Sequence, residues 1–186
     1  MPFFKKRDFI ELSLNSVLSQ TYQNFEIIII YDDENQDDYE FIKNFEKKDR
    51  RIKIIKNVKN LGAGLSRNIG IANSKFELIA FLDCDDLWEK NKLNDQINFM
   101  NENNYEFSFT SYDIINNENK IIGKRIAKRY LSFNDLIKSC DIGLSTVVIK
   151  NEIFKKNIFR FANLKTKEDY VLWLRLAKNG VELTGL

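Results

Sequence analysis

Phe76-Glu77-Leu78-Ile79-Ala80-Phe81-Leu82-Asp83-Cys84-Asp85-Asp86-Leu87-Trp88 passes abruptly from an apolar run to three closely spaced carboxylates. The apolar part has the length and composition of a buried strand. Acids crowded at its carboxyl end repel one another unless a cation sits among them. In an open α/β sheet, that end of a strand is also where ligands bind. The stretch therefore predicts a divalent cation and a phosphorylated ligand at the tip of a buried strand.

Working outward, residues 25–31 form a second continuous apolar strand, which stops at Asp32 and Asp33. Residues 37–48 read as a helix and 52–55 as a short strand. Residues 62–73 open with Gly62 and Gly64 and continue as a small-residue helix. Upstream, residues 8–20 carry Phe9, Leu12, Leu14, Val17 and Leu18 at helical spacing, with Asp8 placed as an N-cap. Downstream, 90–101 reads as a helix and 105–115 as one strand. Strands and helices thus alternate through the first two-thirds, the pattern of an α/β fold with a mainly parallel sheet.

The last third is less regular. Residues 121–126 read as extended, 132–138 as a short helix capped by Ser132, and 145–150 as a strand. Residues 169–179 form an amphipathic helix ended by Gly180. The sequence has no linker and no repeat, so 1–186 reads as one domain. Both ends read as cut. No strand precedes Pro2, although a doubly wound sheet normally begins with one, and a new strand begins at Val181 just before the end.

Composition narrows the chemistry. The chain has 186 residues, 44% hydrophobic and 30% charged, enough for one real core. A net charge of +2 creates no strong field and argues against a dedicated nucleic-acid binder, although residues 120–129 are locally basic. Those residues read as a solvated loop; a lid or a contact with anionic lipid is the functional alternative. Histidine is absent, which excludes Ser-His-Asp triads and His-rich zinc sites. Cys84 and Cys140 form no disulfide framework, which fits a reducing cytoplasm. No apolar run is long enough to cross a bilayer.

Five segments together resemble the family 2 glycosyltransferases, whose fold is GT-A. They are Ser13 to Tyr22 with Asn24-Phe25-Glu26; Tyr31-Asp32-Asp33-Glu34; Asn60-Leu61-Gly62 with Ser66-Arg67-Asn68; Asp83-Cys84-Asp85; and Glu168-Asp169-Tyr170 with Trp173. The resemblance runs from Pro2 to about Gly180. It implies a nucleotide-sugar-binding half over 1–102 and an acceptor half over 103–186.

The resemblance also implies roles. Asp85, with Asp83, is the expected ligand of Mg²⁺ or Mn²⁺, and Asp83 is also suited to ribose hydroxyls. Asp32 or Asp33, with Asp33 preferred, meets the nucleotide base; Glu34-Asn35 stands where the family usually has Gly-Ser. Pro2 and Phe3 fall at the donor site. Arg67 meets the diphosphate or forms a salt bridge to Asp83 or Asp33. Asp169 is the expected general base and Glu168 orients it. Asp86 reads as a cap of the next helix, and Trp88 as either an acceptor platform or packing.

The donor implied is a nucleotide-diphosphate sugar, UDP-sugar being favoured. The acceptor implied is a glycan or a lipid-linked sugar, with no nucleic acid involved. The family context allows a cytoplasmic enzyme lying peripherally at the inner face of the plasma membrane, and an oligomer. Two other readings compete. Haloacid-dehalogenase-like phosphatases also carry Asp-x-Asp after a strand, but their second acidic pair should end a strand. A non-catalytic homologue without its first strand is the third.

Overall fold

The computed structural model describes residues 1–116, 118–128, 132–156 and 158–186. Its first half is a parallel sheet in the order β1-β2-β3, formed by Pro2–Phe3 (β1), Ile27–Tyr31 (β2) and Ile52–Lys56 (β3). β2 is a run of isoleucines closed by Tyr31 and is mostly buried. β-Branched side chains on both faces suit a strand covered on both sides. The registers Phe3↔Tyr31 and Ile29↔Ile54 place the carboxyl ends of these strands along one edge.

Helix α1 (Arg7–Leu18) buries Ile10, Ser13, Leu14 and Val17 against this sheet. Phe9 and Leu12, expected on that face, are exposed. The helix begins one residue earlier than the spacing predicts. Lys6 is its N-cap and Asp8 lies in the first turn. The helix predicted over 37–48 is broken into α2 (Tyr39–Lys43) and α3 (Phe45–Lys48).

Helix α4 (Ala63–Asn73) leads to β4 (Leu78–Ala80), and α5 (Lys92–Asn103) follows the acidic stretch. The second half is a mixed sheet rather than a parallel one. β4 and β5 (Phe107–Phe109) both pair antiparallel with β8 (Val148–Lys150), and β5 pairs parallel with β9 (Thr184–Gly185). The single strand predicted over 105–115 divides. Its second part, β6 (Tyr112–Ile115), leaves the sheet to form a two-stranded ribbon with β7 (Ile121–Arg125). Helix α6 (Phe133–Lys138) carries a complete capping box between Ser132 and Asp135. Helix α7 (Glu168–Lys178) buries Leu172, Trp173 and Leu176, and Trp173 packs edge-on to Phe107 at 5.1 Å between ring centroids.

The expected absence of a first strand is corrected in part. Pro2–Phe3 does form a strand: Met1 C=O accepts from Ile30 N–H at 2.9 Å, and Phe3 C=O accepts from Asp32 N–H at 2.9 Å. Phe3 is fully buried and stacks on Tyr31. β1 is short, however, and β1 and β4 are both edge strands. Between β2 and β4 lies a cavity of about 850 Å³ lined by residues including Val17, Ile28, Ile30, Ile79, Leu93 and Val148. None of the acids of the two strand tips lines it.

Lys92, in the first turn of α5, is an unexpected cost to the fold. Its stem remains accessible, but Nζ is enclosed 4.1 Å from the centroid of the Trp88 ring and has no hydrogen-bond acceptor among the described residues. Burial pushes its pKa down to about 7. The unfolded chain therefore binds the proton more tightly, and this group lowers stability at neutral and acid pH. The penalty is fully present below pH 7 and fades as pH rises toward the ordinary lysine value of 10.5. Lys92→Met is expected to raise Tm at pH 7, by about 2–4 °C per kcal/mol relieved, with the gain shrinking steadily toward pH 10. Parallel thermal melts of both proteins across that range read the difference.

Candidate active site

The two acidic strand tips have different internal economies. Asp32 is buried and its oxygens are taken by the protein. Oδ1 accepts from Asn57 Nδ2 at 2.7 Å and Leu61 N–H at 2.8 Å, and Oδ2 accepts from Gly62 N–H at 2.8 Å. It thereby folds the segment leading into α4, where Gly62 takes the left-handed φ of 85° that glycine adopts without strain. Among the described residues Asp33 accepts from Asn35 N–H, at 3.0 Å, as in an Asx turn. Of the two, Asp33 retains capacity for a ligand. The Phe3 side chain is sealed in the core, and Pro2 C=O accepts from the Cys84 thiol at 3.1 Å.

Arg67, on α4, joins the second acidic tip to the start of α7. Its Nη2 donates to Asp83 Oδ1 at 2.7 Å and its Nη1 donates to Glu168 Oε1 at 2.5 Å. Its side chain is 5% exposed. Burial works against its charge, but Asp83 and Glu168 outweigh that and hold the guanidinium firmly protonated. Of the expected partners, Asp83 is met, Asp33 is not, and Glu168 is added.

Local packing explains why α4 and α7 can approach. A Cβ on Gly64 would lie 2.9 Å from Ala162 C=O and 3.0 Å from Glu168 Cγ. Gly64 is therefore a contact glycine, which the sequence reading treated only as a helix start. Asn68 fixes the same segment, its amide donating to Phe161 C=O at 2.9 Å and accepting from Phe161 N–H at 3.0 Å.

Beyond Asp83 the chain turns, with Asp86 N–H donating to Asp83 C=O. Asp86 is not a helix cap; α5 starts at Lys92 with Asn91 before it. Instead Ser145 Oγ donates to Asp86 Oδ2 at 2.5 Å and accepts from Asp83 N–H at 3.0 Å. Although Asp86 is accessible, its carboxylate is enclosed enough to raise its pKa; the Ser145 bond opposes this, and Asp83 and Asp85 add to it. Trp88 proves to be packing, its indole N–H donating to Ser145 C=O at 2.7 Å.

Asp85 is the accessible member, with a side chain 41% exposed and Lys6 Nζ at 2.7 Å from Oδ2. Burial pushes the Cys84 thiol up to about 12, and its S–H is taken by Pro2 C=O. Among the described residues no group of three or more His, Cys, Asp or Glu could hold a metal. A cation held here would have at most one or two carboxylate oxygens from the protein and would need its other ligands from phosphate and water. That donor set fits Mg²⁺ or Mn²⁺ bound with a phosphorylated ligand.

Asp169 is half-buried in the first turn of α7 and accepts from Tyr170 N–H at 2.7 Å. Burial raises its pKa and Glu168 adds to the rise, while the Tyr170 N–H opposes it. A carboxylate tuned upward is a better proton acceptor than an ordinary one. Lys167, just before it, holds a left-handed φ of 61°, a conformation costly for lysine.

The ribbon β6–β7 presents Ile121 and Ile122 to solvent, beside Lys124, which pairs with Asp113 at 3.7 Å. Lys128 pairs with Asp141. Arg129, the last residue of the basic stretch, lies outside the described residues.

Removing the Arg67 guanidinium leaves two carboxylates facing each other without a cation. Arg67→Gln is expected to lower stability by about 3 kcal/mol in urea unfolding. Arg67→Lys is expected to recover little, because a single ammonium lacks the fork that meets two carboxylates. Gly64→Ala should cost less but should displace Glu168.

The family profile described as Glycosyl transferase family 2 matches residues 1–161. The Escherichia coli protein named UDP-Glc:alpha-D-GlcNAc-diphosphoundecaprenol beta-1,3-glucosyltransferase WfgD is 41% identical over 179 residues, covering 96% of this chain and 68% of its own length. The structure of Staphylococcus aureus TarS 1–349 in complex with UDP-GlcNAc superposes with a TM-score of 0.82 at 20% identity, over all of this chain and 54% of that one. The mannosyltransferase PcManGT of Pyrobaculum calidifontis, in complex with GDP-Man and Mn²⁺, gives 0.75 at 12% identity, over all of this chain and 52% of that one. The chain thus spans about half the length of these solved structures. The phosphatase alternative gives way, since Glu168 and Asp169 begin a helix rather than end a strand. The fold is GT-A, and the chain belongs to glycosyltransferase family 2.

Proposed function

We propose that this chain is an inverting, metal-dependent glycosyltransferase acting on a nucleotide-diphosphate sugar, with UDP as the favoured nucleotide. The observation that carries this reading is the Asp83–Arg67–Glu168 bridge, which ties a strand tip suited to the donor to the helix that begins with Asp169. In this reading 1–102 binds the donor and 103–186 the acceptor.

Charge supports the need for a cation. Asp83, Asp85, Asp86, Glu168 and Asp169 face only Arg67 and Lys6 among the charged contacts described above. A diphosphate entering such a site meets net negative charge and is repelled unless positive charge enters with it. Asp85, assisted by Asp83, is the proposed ligand of Mg²⁺ or Mn²⁺. Bound there, the ion would supply neutralisation of the leaving diphosphate. Asp33 is the proposed partner of a ring N–H of the base, and Asp83 of a ribose hydroxyl.

Asp169 is the proposed base. It takes the proton of the acceptor hydroxyl as that oxygen attacks the anomeric carbon. The carbon–oxygen bond to the diphosphate breaks, its electron pair leaves on the phosphate oxygen, and the anomeric configuration inverts. Glu168, held by Arg67, fixes the turn that aims Asp169.

A lipid-linked or glycan acceptor is part of this reading, in keeping with the diphosphoundecaprenol substrate named for the E. coli relative. The reading places the reaction on the cytoplasmic side, at the inner face of the plasma membrane. Exposed Ile121, Ile122 and Ile126 beside Lys120 and Lys124 suit peripheral contact with that surface. No helix among the described residues is long and apolar enough to cross a membrane.

UDP with MnCl₂ is expected to raise Tm more than either alone, and Asp85→Ala to abolish the part that depends on manganese. A ligand at about a hundred times its Kd adds roughly 2.7 kcal/mol. With a UDP-sugar panel and a lipid-linked acceptor, Asp169→Asn should retain this stabilisation and lose turnover by at least about 100-fold. The acid limb of the wild-type rate should lie above the ordinary aspartate value of 3.8, because burial raises Asp169. Stabilisation without turnover would point to the non-catalytic homologue, and no response to any nucleotide would refute donor binding.

A further inference from the structure

Lys6 follows the carboxyl end of β1 and faces the acidic turn that carries Asp85. Its ammonium lies 2.7 Å from Asp85 Oδ2, and the two side chains are 44% and 41% exposed. An ion pair so open to water adds little to folding stability. Its geometry is nevertheless fixed from both sides. Lys6 C=O accepts from the N–H groups of Phe9 and Ile10, which anchors it to the first turn of α1. Lys5, immediately before it, turns the chain with a left-handed φ of 51°. On the other side, Ser13 Oγ donates to Asp83 C=O at 3.2 Å and the Cys84 thiol donates to Pro2 C=O at 3.1 Å. These bonds stitch the loop of Lys6 to the turn of Asp85.

Arg67 has both terminal nitrogens committed to carboxylates and only a sliver of exposed surface. Lys6 differs: it is accessible, on a flexible type of stem, and able to present three N–H donors to whatever approaches Asp85. A divalent cation on Asp85 would compete with the ammonium beside it, because two positive charges so close together repel each other. A diphosphate arriving with the cation offers the displaced ammonium new acceptor oxygens within a short swing of the stem.

We propose, building on the donor-binding reading above, that Lys6 is a diphosphate-binding residue of this site. Its ammonium neutralises Asp85 in the ligand-free protein, cedes that carboxylate to the divalent cation, and moves onto the phosphate oxygens of the donor. Lys6 then opposes metal binding when no nucleotide is present and favours nucleotide binding when the cation is bound. A salt bridge that only braces the fold produces neither effect.

The test is a set of thermal-shift titrations on wild-type protein, Lys6→Gln and Lys6→Arg. Each is titrated with MnCl₂ alone, with UDP in EDTA, and with UDP at saturating MnCl₂. In buffer all three should melt at similar temperatures. Lys6→Gln is expected to respond to MnCl₂ alone at an about three- to fivefold lower concentration, the scale of an exposed ion pair. At saturating MnCl₂ it should need about tenfold more UDP, the scale of one charge-assisted bond, and Lys6→Arg should restore most of that loss, while UDP in EDTA should stabilise all three only weakly. If Lys6→Gln matches wild type in every titration while wild type responds to UDP and MnCl₂, the role of Lys6 is overturned and the donor-binding reading stands. If wild type responds to neither UDP nor MnCl₂, the donor-binding reading falls and takes the role of Lys6 with it.

Discussion

One buried guanidinium holds this molecule's two working surfaces together. Arg67 reaches Asp83, at the tip of one strand, and Glu168, 101 residues away in sequence at the start of α7. Desolvating a charge is expensive, and it is tolerated only when partners are close and well aimed. Two carboxylates at 2.7 Å and 2.5 Å meet that condition. Neighbouring choices follow from it. Gly64 lets the helices come near enough, Asn68 clamps the chain at Phe161, and Phe161 supports the guanidinium from 5.5 Å. The arrangement ties the turn of Asp83 to the start of the Asp169 helix, as the proposed transfer between two bound substrates would require.

Around these acids positive charge is scarce, and the proposed diphosphate would meet mainly Arg67 and Lys6. Asp32 is already consumed by the Asn57-to-Gly62 segment, and Cys84 is locked as a thiol beneath Pro2. Asp85 and Asp86 lie at the solvent side; Asp86 is held by Ser145, and Asp85 is paired with the exposed ammonium of Lys6. Preorganised charge of this kind acts without rearranging the scaffold around it.

Much of this was legible in the sequence. Apolar runs ending in Asp32-Asp33 and in Asp83-Cys84-Asp85 marked β2, which is buried on both faces and so apolar throughout, and β4, which is shorter than the run that announced it and leaves Ala80 exposed. The amphipathic spacing of Leu172, Trp173 and Leu176 marked α7. Other features depend on contacts that no local pattern encodes. Glu168 as a partner of Arg67 and the Gly64 contact both join segments about a hundred residues apart. The division of 105–115 into two strands turns on which neighbour each half pairs with. β1 was missed because two residues are too few to show a period. Lys92 reads as a solvated lysine until the Trp88 ring is seen above it.

The central claim is that Asp85 takes a divalent cation together with a nucleoside diphosphate at this strand tip. Crystals grown with UDP and MnCl₂, measured at the manganese absorption edge, test it directly. The account predicts one anomalous peak within about 2.0–2.3 Å of an Asp85 carboxylate oxygen and of diphosphate oxygens, with the base beside Asp33. A nucleotide bound elsewhere, or bound here with the manganese away from Asp85, would contradict it.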